Sequence, residues 1–437
     1  MTKVHVHFLG IGGSGASAAA AVAQAQGFEV TGCDLEPNNE FTTEFKPSQL
    51  LKGHSASHLS GVNVIAITPA ILSLDPDNEE LLEAKKHGIE ILTWQEFLGK
   101  YLTKDEQSSS ASQSKFVIAI TGTHGKTTTT AMIAKMLEDA NLDPTVVIGA
   151  IVPSWKANYR VGQGKFFVIE ADEFNDNFLS LTPDISVITN IEMDHPEYFK
   201  NFASYKQSFK KFLLKTKETI VANIADSGVA EVLKVAMKET GVTCLDYSKN
   251  EIDLELKIPG EFNKQNANAA FQVGLLLNID PIIIKKSLSS YPGIGRRFEL
   301  LGEFKGATIY TDFGHHPTEI KTTMEAAREK FPDQHIWLIY QPHMFSRTKG
   351  LFKEFVETFN NLPVNQTLIM DIYPSREVDT GLVSSQELVE AIDKSSVDYV
   401  ASVKELTEIL KSEITQGDIV FFMGAGDIDK IARGLLF

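Results

Sequence analysis

Two glycine-rich strings and two acidic strand ends carry most of the chemistry that this 437-residue sequence can offer. The first string, Gly10-Ile11-Gly12-Gly13-Ser14-Gly15, spells G-x-G-x-x-G directly after a strand-like VHVHFLG and directly before an alanine-rich helix. Glycines there permit a tight turn and let a pyrophosphate approach the helix N-terminus. Asp34 closes the next strand, where a carboxylate can accept a hydrogen bond from a ribose hydroxyl. The same spelling serves a dinucleotide, a nucleotide diphosphate, or a glycine turn that only packs helix on strand.

The second string runs Thr121-Gly122-Thr123-His124-Gly125-Lys126-Thr127-Thr128. Its end is that of a phosphate loop: Lys126 can neutralise β/γ-phosphate oxygens and Thr127 can reach Mg²⁺. Only two residues separate Gly122 from Gly125, and Ile120 stands where the longer G-x4-GK[ST] loop has its first glycine. Further on, Glu170-Ala171-Asp172-Glu173 ends one apolar run and Asp194-His195 follows another. Carboxylate and imidazole groups are suitable ligands for metal ions bridging phosphate and substrate. Singly each is an ordinary solvated loop group, but two such ends converging on a phosphate loop would make a site.

Strands and helices must hold these groups in place. The predicted order is β-α-β through residue 103, a Ser-rich linker without apolar periodicity at 104–114, a second α/β domain at 115–298, and a third at 299–437. In the second domain FVIAI, FFVIEAD, ISVITNI and ETIVANI read as buried parallel strands with polar carboxyl ends, and in the third ATIYTDF, HIWLIYQ, QTLIMDIY and DIVFFMG do the same. A length of 437 residues has room for three domains, and 43% hydrophobic with 22% charged residues is an ordinary globular composition.

Lys and Arg total 41 against 57 for Asp and Glu, a formal charge of −16 that argues against polymeric nucleic acid as a partner. Two cysteines are too few for a disulfide framework and suit a reducing compartment. The uncharged stretch at 6–26 behind Lys3 loosely imitates a signal peptide, but Val4, Val6 and Phe8 alternate with His5 and His7 as in a strand. No run approaches the roughly 18 apolar residues of a membrane span, so a cytoplasmic protein without a membrane partner is expected.

Nine strings in order, GIGGSG, TGTHGKTTT, EADE, TNIEMDH, PGEFNKQNANAA, RRFE, DFGHHPTE, QPHMFSRT and GAGDI, cover essentially the whole chain. Together they resemble the Mur ligases, in which the shortened phosphate loop is a hallmark. The resemblance implies an α/β fold of three domains: an N-terminal Rossmann-like one for a UDP-sugar, a central P-loop ATPase-like one, and a C-terminal Rossmann-like one carrying the amino-acid site. It implies an ATP- and Mg²⁺-dependent ligase that joins L-alanine to the lactyl carboxylate of UDP-N-acetylmuramate through an acyl phosphate, in peptidoglycan precursor synthesis.

Residue by residue, the resemblance implies that Gly122, Thr123, Gly125, Lys126, Thr127 and Thr128 hold the ATP phosphates, with Thr127 and Glu170 on one Mg²⁺ and His195 on a second. Asn263 and Asn266 would face adenine, Asp312 the ribose, and Arg297 a phosphate. Gly10, Gly12, Gly13, Ser14, Gly15, Asp34, His54 and His315 would take the UDP-sugar. Phe313, His343, Arg347 and Ala425 would surround the amino acid. Lys126, His343, His316 and Arg347 form the implied catalytic set, one of the two histidines taking the amine proton. Phe209 occupies the place where sister ligases that add later amino acids carry a carbamylated lysine.

Two departures stand out. The family's PGxHN reads Pro259-Gly260-Glu261-Phe262-Asn263, which trades a hydrogen-bonding His for a ring, and QPHRxxRT has Met344 in place of its first arginine. A recycling ligase that adds a tripeptide to the same sugar, and a catalytically weak UDP-sugar-binding homologue, are the alternatives these changes leave. A nicotinamide-dependent dehydrogenase, suggested by GIGGSG with Asp34, sits poorly with a second, complete phosphate loop.

Overall fold

The computed structural model describes residues 3–103, 114–249, 252–375 and 377–436. The expected linker therefore falls almost entirely outside the described residues. The chain divides into two compact units: Met1–Glu192 with Ala203–Leu254 and Asn266–Ser289, and Met193–Phe202 with Glu255–Gln265 and Ser290–Phe437.

The first unit holds two sheets. In the five-stranded one, β1 (His5–Leu9), β2 (Glu29–Asp34), β3 (Leu50–Lys52), β4 (Val64–Ile67) and β5 (Glu90–Thr93) lie in the order β3-β2-β1-β4-β5, all neighbours parallel. The strand order reverses between β1 and β4, which opens a crevice at the carboxyl end of β1, where GIGGSG begins. Residues of β1, β2 and β4 pack with Leu59, Val62, Ile71, Leu81 and Ala84 into one apolar cluster on a face of this sheet. The helix Ser14–Ala25 is built from alanines buried along most of its length, so it lies close on its neighbours.

The seven-stranded sheet contains β6 (Phe116–Thr121), β7 (Thr145–Val152), β8 (Ala157–Arg160), β9 (Phe166–Glu170), β10 (Ile185–Ile188), β11 (Thr219–Ala222) and β12 (Thr243–Asp246), ordered β12-β11-β10-β6-β9-β7-β8. Its order reverses at β6, flanked by β10 and β9. The phosphate loop leaves the end of β6 and runs into the helix Lys126–Asp139. The edge strand β8 is antiparallel to β7 and was not anticipated, because ANYR is too short and polar to stand out as a strand.

The second unit has six strands, β13 (Glu299–Phe304), β14 (Ala307–Asp312), β15 (Ile336–Tyr340), β16 (Gln366–Met370), β17 (Val397–Val400) and β18 (Ile419–Met423), ordered β13-β14-β18-β15-β16-β17. Successive residues of a strand point to opposite faces. Accordingly Ile336, Leu338 and Tyr340 join a core with Phe355 and Phe359 on one side, while Trp337 and Ile339 join Leu406 and Leu410 on the other. Burial on both faces is why these strands read as unbroken apolar runs. The carboxyl ends of β14, β18 and β15 lie side by side and deliver the segments at Asp312, Gly424 and Gln341 to one edge.

Among the described residues, no helix is long and apolar enough to cross a membrane.

Candidate functional site

In the first unit the phosphate loop is shaped by contacts to strand ends. Gly122 has φ +130°, and a Cβ there would lie 2.0 Å from Thr189 Oγ1; Gly125 has φ +84°, and its Cβ would lie 2.5 Å from Asn266 Oδ1. Both positions demand glycine on conformation and on space. The loop is pinned from β10: Asn190 accepts from His124 N at 2.8 Å and donates to His124 O at 3.0 Å, and Thr189 donates to His124 O at 2.6 Å.

Lys126 Nζ donates to Gly122 O at 2.6 Å and Thr123 O at 3.1 Å, and lies 3.0 Å from Glu173 Oε2. Burial disfavours its charge, but Glu173, Asp172 and Glu170 together outweigh that and raise its pKa, so the ammonium is kept. Thr127 Oγ1 donates to Glu170 Oε1 at 2.8 Å, and Glu170 Oε2 accepts from Gly149 N at 2.7 Å. A hydroxyl, a carboxylate, a retained cation and the N-terminus of the helix Lys126–Asp139 form a set that fits a nucleoside triphosphate with Mg²⁺.

Glu173 enters the sequence reading only as part of the EADE string, and Tyr205 not at all. Glu173 is wholly buried against Lys126, and Tyr205 bridges the loop to it: its hydroxyl donates to Glu173 Oε1 at 3.0 Å and lies 3.0 Å from Thr123 Oγ1. The EADE string contained the first signal. Tyr205 carried none, since an isolated aromatic in the helix Phe202–Leu213 reads as core. Phe209, one turn on, is fully buried edge-to-face against Tyr205 and Phe178.

At the other sheet of this unit Asp34 is a brace for the glycine turn: Oδ2 accepts from Gly12 N at 3.0 Å and Oδ1 from Glu36 N at 3.2 Å. Gly10, Gly13, Ser14 and Gly15 lie with it along the turn and the start of the following helix. His54 Nδ1 is 3.3 Å from Cys33 Sγ.

The second unit gathers the residues of DFGHHPTE and QPHMFSRT at neighbouring strand ends. Asp312 accepts from Phe298 N at 2.8 Å and Gly314 N at 2.7 Å, which fixes the turn after β14; burial raises its pKa, partly offset by Arg297. Phe313 carries the guanidinium groups of Arg296 and Arg297 on its ring at 4.7 and 5.2 Å. Arg296, unmarked by the sequence reading, also ties down the loop after β18 by donating to Gly424 O at 2.7 Å and Gly426 O at 3.1 Å, next to Ala425.

His316 caps the helix Pro317–Lys330, Nδ1 accepting from Thr318 N at 3.2 Å, with Nε2 3.3 Å from Met193 O. His343 Nδ1 lies 3.2 Å from Arg347 Nη1, and Arg347 Nε donates to Asp194 Oδ1 at 3.0 Å. An accepting Nδ1 on either ring leaves the proton on Nε2, so each imidazole is held in one tautomer.

His195 lies in Met193–Phe202, with Nδ1 3.2 Å from Glu197 Oε1. Burial works against the Asp194 and Glu197 charges, yet His195 and Arg347 hold Asp194 well below the carboxylate range and Glu197 down to about 2. His315 is pulled down to about 3 by burial and by Arg347. Met344 is buried at φ +71°, so the residue in the missing arginine's place fills the core with no charge. Asn263 donates to Pro259 O at 2.6 Å in this unit, whereas Asn266 belongs to the first.

Family models match the chain in order: Mur ligase family, catalytic domain, at 5–105; Mur ligase middle domain at 120–274; and Mur ligase, glutamate ligase domain, at 296–426. Curated relatives named UDP-N-acetylmuramate--L-alanine ligase are similar over nearly the whole length. That of Alkaliphilus metalliredigens is 34% identical over 99% of this chain and 97% of its own, and that of Caldicellulosiruptor bescii 37% identical over 97% and 96%. Among solved structures, UDP-N-acetylmuramate-alanine ligase of Thermotoga maritima aligns with TM-score 0.77 at 26% identity, covering 99% of this chain and 98% of that one. A murein peptide ligase of Psychrobacter arcticus shares the fold, with TM-score 0.69 at 22% identity over 99% and 98%. With all three family models in sequence and relatives matching from end to end, the chain belongs to the Mur ligase family.

Proposed function

We propose that this chain is an ATP-dependent ligase that joins L-alanine to the lactyl carboxylate of UDP-N-acetylmuramate, a step of peptidoglycan precursor synthesis carried out in the cytoplasm. The observation that carries the reading is the end-to-end likeness to relatives bearing that activity in their names. Phe209, buried edge-to-face against Tyr205 and Phe178, agrees with it, since the family resemblance implies a modified lysine at this place in the later-acting sister ligases.

A carboxylate resists attack by an amine, so it must first be activated. In the proposed route its oxygen takes the γ-phosphoryl group of ATP, ADP leaves, and the alanine amine attacks the acyl phosphate carbon. The C–O bond to phosphate then breaks as the amide forms, inorganic phosphate leaves, and the amine proton would pass to one of His343 and His316. Lys126 would exchange its contacts with Gly122 O, Thr123 O and Glu173 for phosphate oxygens and offset the charge moving between them. Thr127 and Glu170 would hold Mg²⁺, which when bound offsets the phosphate charge and orients the γ-phosphoryl group. Arg347, with His343 fixed on it, would receive the amino-acid carboxylate.

Phosphate release by the purified chain tests this. It should require ATP, Mg²⁺, UDP-N-acetylmuramate and L-alanine together, and hydroxylamine should trap the activated sugar when alanine is withheld. Phosphate release indifferent to the sugar, or a preference for a tripeptide acceptor, would overturn the assignment.

A further inference from the structure

Away from the phosphate loop, four side chains from four elements aim at one point beneath the five-stranded sheet: His7 on β1, Cys33 on β2, His58 in the short helical turn Ala56–Leu59, and Glu80 in the helix Glu79–His87. One donor atom from each lies within 4.8 Å of every other. His7 Nε2 is 3.2 Å from Glu80 Oε2, His58 Nδ1 is 2.9 Å from Glu80 Oε1, and Cys33 Sγ is 3.1 Å from the same oxygen. His7, Cys33 and Glu80 are fully buried.

We propose that His7, Cys33, His58 and Glu80 form a tetrahedral site for one divalent transition-metal ion of the zinc class. Bonds of about 2.0–2.3 Å in tetrahedral geometry put neighbouring ligand atoms roughly 3.3–3.8 Å apart. The contacts to Glu80 are slightly shorter than this and all donor pairs lie within 4.8 Å, so the ion would push Glu80 outward while the remaining side chains adjust around it. Two imidazoles, a thiolate and a carboxylate are a borderline-soft set, unlike the all-oxygen shells that Mg²⁺ and Ca²⁺ take. One thiolate and one carboxylate also balance a dication, leaving a neutral centre in a buried place.

The second, independent observation is His7. Its Nδ1 lies 2.9 Å from Thr31 Oγ1, a hydroxyl shared with His5 Nε2, and its buried Nε2 stands 3.2 Å from Glu80 Oε2 outside regular hydrogen-bond geometry. With the proton on Nδ1, the Nε2 lone pair meets carboxylate lone pairs, an arrangement that a cation between them resolves. Such an anchored far nitrogen is the usual companion of a metal-bound histidine. Glu80 is oriented in turn by Ser55 N, which donates to Oε1 at 3.0 Å. Without a cation, burial and Glu80 push the Cys33 thiol far up. On binding, the S–H bond gives way to a sulfur–metal bond and one proton passes to solvent. The ion would tie β1 and β2 to two helical segments, and would brace His54, whose Nδ1 lies 3.3 Å from Cys33 Sγ.

Full-length protein stripped with a chelator and then titrated with Co²⁺, without ATP and with excess Mg²⁺ to fill oxygen-ligated sites, tests the proposal. Expected are about one Co²⁺ per chain, the visible bands of tetrahedral cobalt with a thiolate-to-cobalt charge-transfer band, one proton released per ion, and displacement by Zn²⁺. Cys33→Ser should abolish the charge-transfer band, whereas Cys244→Ser, at the only other cysteine, should keep it. Should Cys33→Ser fold poorly, His58→Gln, at the rim of the cluster, should still fold and bind Co²⁺ at least tenfold more weakly. Absence of the band in the wild type, its survival in Cys33→Ser, or wild-type affinity in His58→Gln would overturn the site.

Discussion

Arg347 and Asp194 stand 153 positions apart in sequence, and their side chains, 3% and 6% exposed, meet in a 3.0 Å ion pair from Nε to Oδ1. Removing one member strands a buried charge, which typically costs about 3–5 kcal/mol. Arg347→Ala and Asp194→Ala should each destabilise the protein on that scale in urea denaturation, and the double variant should cost clearly less than the two effects added together. Arg347→Lys keeps the charge but cannot reach Asp194 and His343 at once, so it should fall between wild type and Arg347→Ala. Additive single effects would show that the pair is not coupled.

Lys126 is balanced between loop carbonyls and Glu173, and its proposed work is done only when phosphate arrives. Lys126→Ala should lower kcat by two orders of magnitude or more, equivalent to about 3 kcal/mol or more of barrier, with a much smaller effect on the KM for L-alanine. Steady-state kinetics on each substrate separates the two. An unchanged kcat would remove Lys126 from the reaction.

Glu170 is held between Thr127, at the start of the helix after the phosphate loop, and the backbone of Gly149 in β7. Glu170→Gln preserves the shape and one acceptor while removing the charge. The Mg²⁺ concentration for half-maximal activity should rise roughly tenfold or more while the melting temperature moves little. If the melting temperature collapses and the Mg²⁺ dependence of residual activity is unchanged, Glu170 is a structural brace only.

Much of this architecture was legible because parallel strands buried on both faces leave continuous apolar runs: FVIAI, HIWLIYQ and DIVFFMG all mark strands at β6, β15 and β18. The edge strands were harder. β8 and β13 are short or half-exposed and pair antiparallel, so neither has the apolar continuity of a central strand. Local motifs were readable in the same way, since Gly122, Lys126 and Glu170 are neighbours along one sheet edge. What no spacing revealed were contacts made by the fold alone: Tyr205 on Glu173, Arg296 on the loop after β18, and the four-element cluster around Glu80.

His315 supplies a pH test. Burial and the Arg347 charge lower its pKa to about 3, against the opposing carboxylates of Glu319 and Asp194, while an unfolded His titrates near 6.5. Between those values the unfolded chain binds the extra proton, so stability is complete above pH ~6.5 and declines as pH falls toward ~3, by up to about 1.4 kcal/mol per pH unit. His315→Asn should flatten that part of the stability curve. Urea midpoints for both proteins between pH ~4 and ~7 would show it, and parallel curves would mean His315 is protonated when folded.

The amino-acid preference tests the acceptor side of the proposed reaction. Phe313, His343 and Ala425 are the candidate walls for a small side chain, and Phe313 is kept rigid by the two guanidinium groups on its ring. A pocket that selects a single methyl group discriminates by only about 1–3 kcal/mol. Glycine and L-serine should therefore react measurably, with kcat/KM roughly 10- to 200-fold below that of L-alanine. Replacing Ala425 by Val should narrow the space and widen the gap between L-alanine and L-serine, because the added hydroxyl has no room to turn. A tripeptide beginning with L-alanine should be a poor acceptor, since it places a peptide group where Arg347 would meet a carboxylate. Equal kcat/KM for L-alanine and L-serine in both proteins would remove these three residues as the walls of the acceptor pocket.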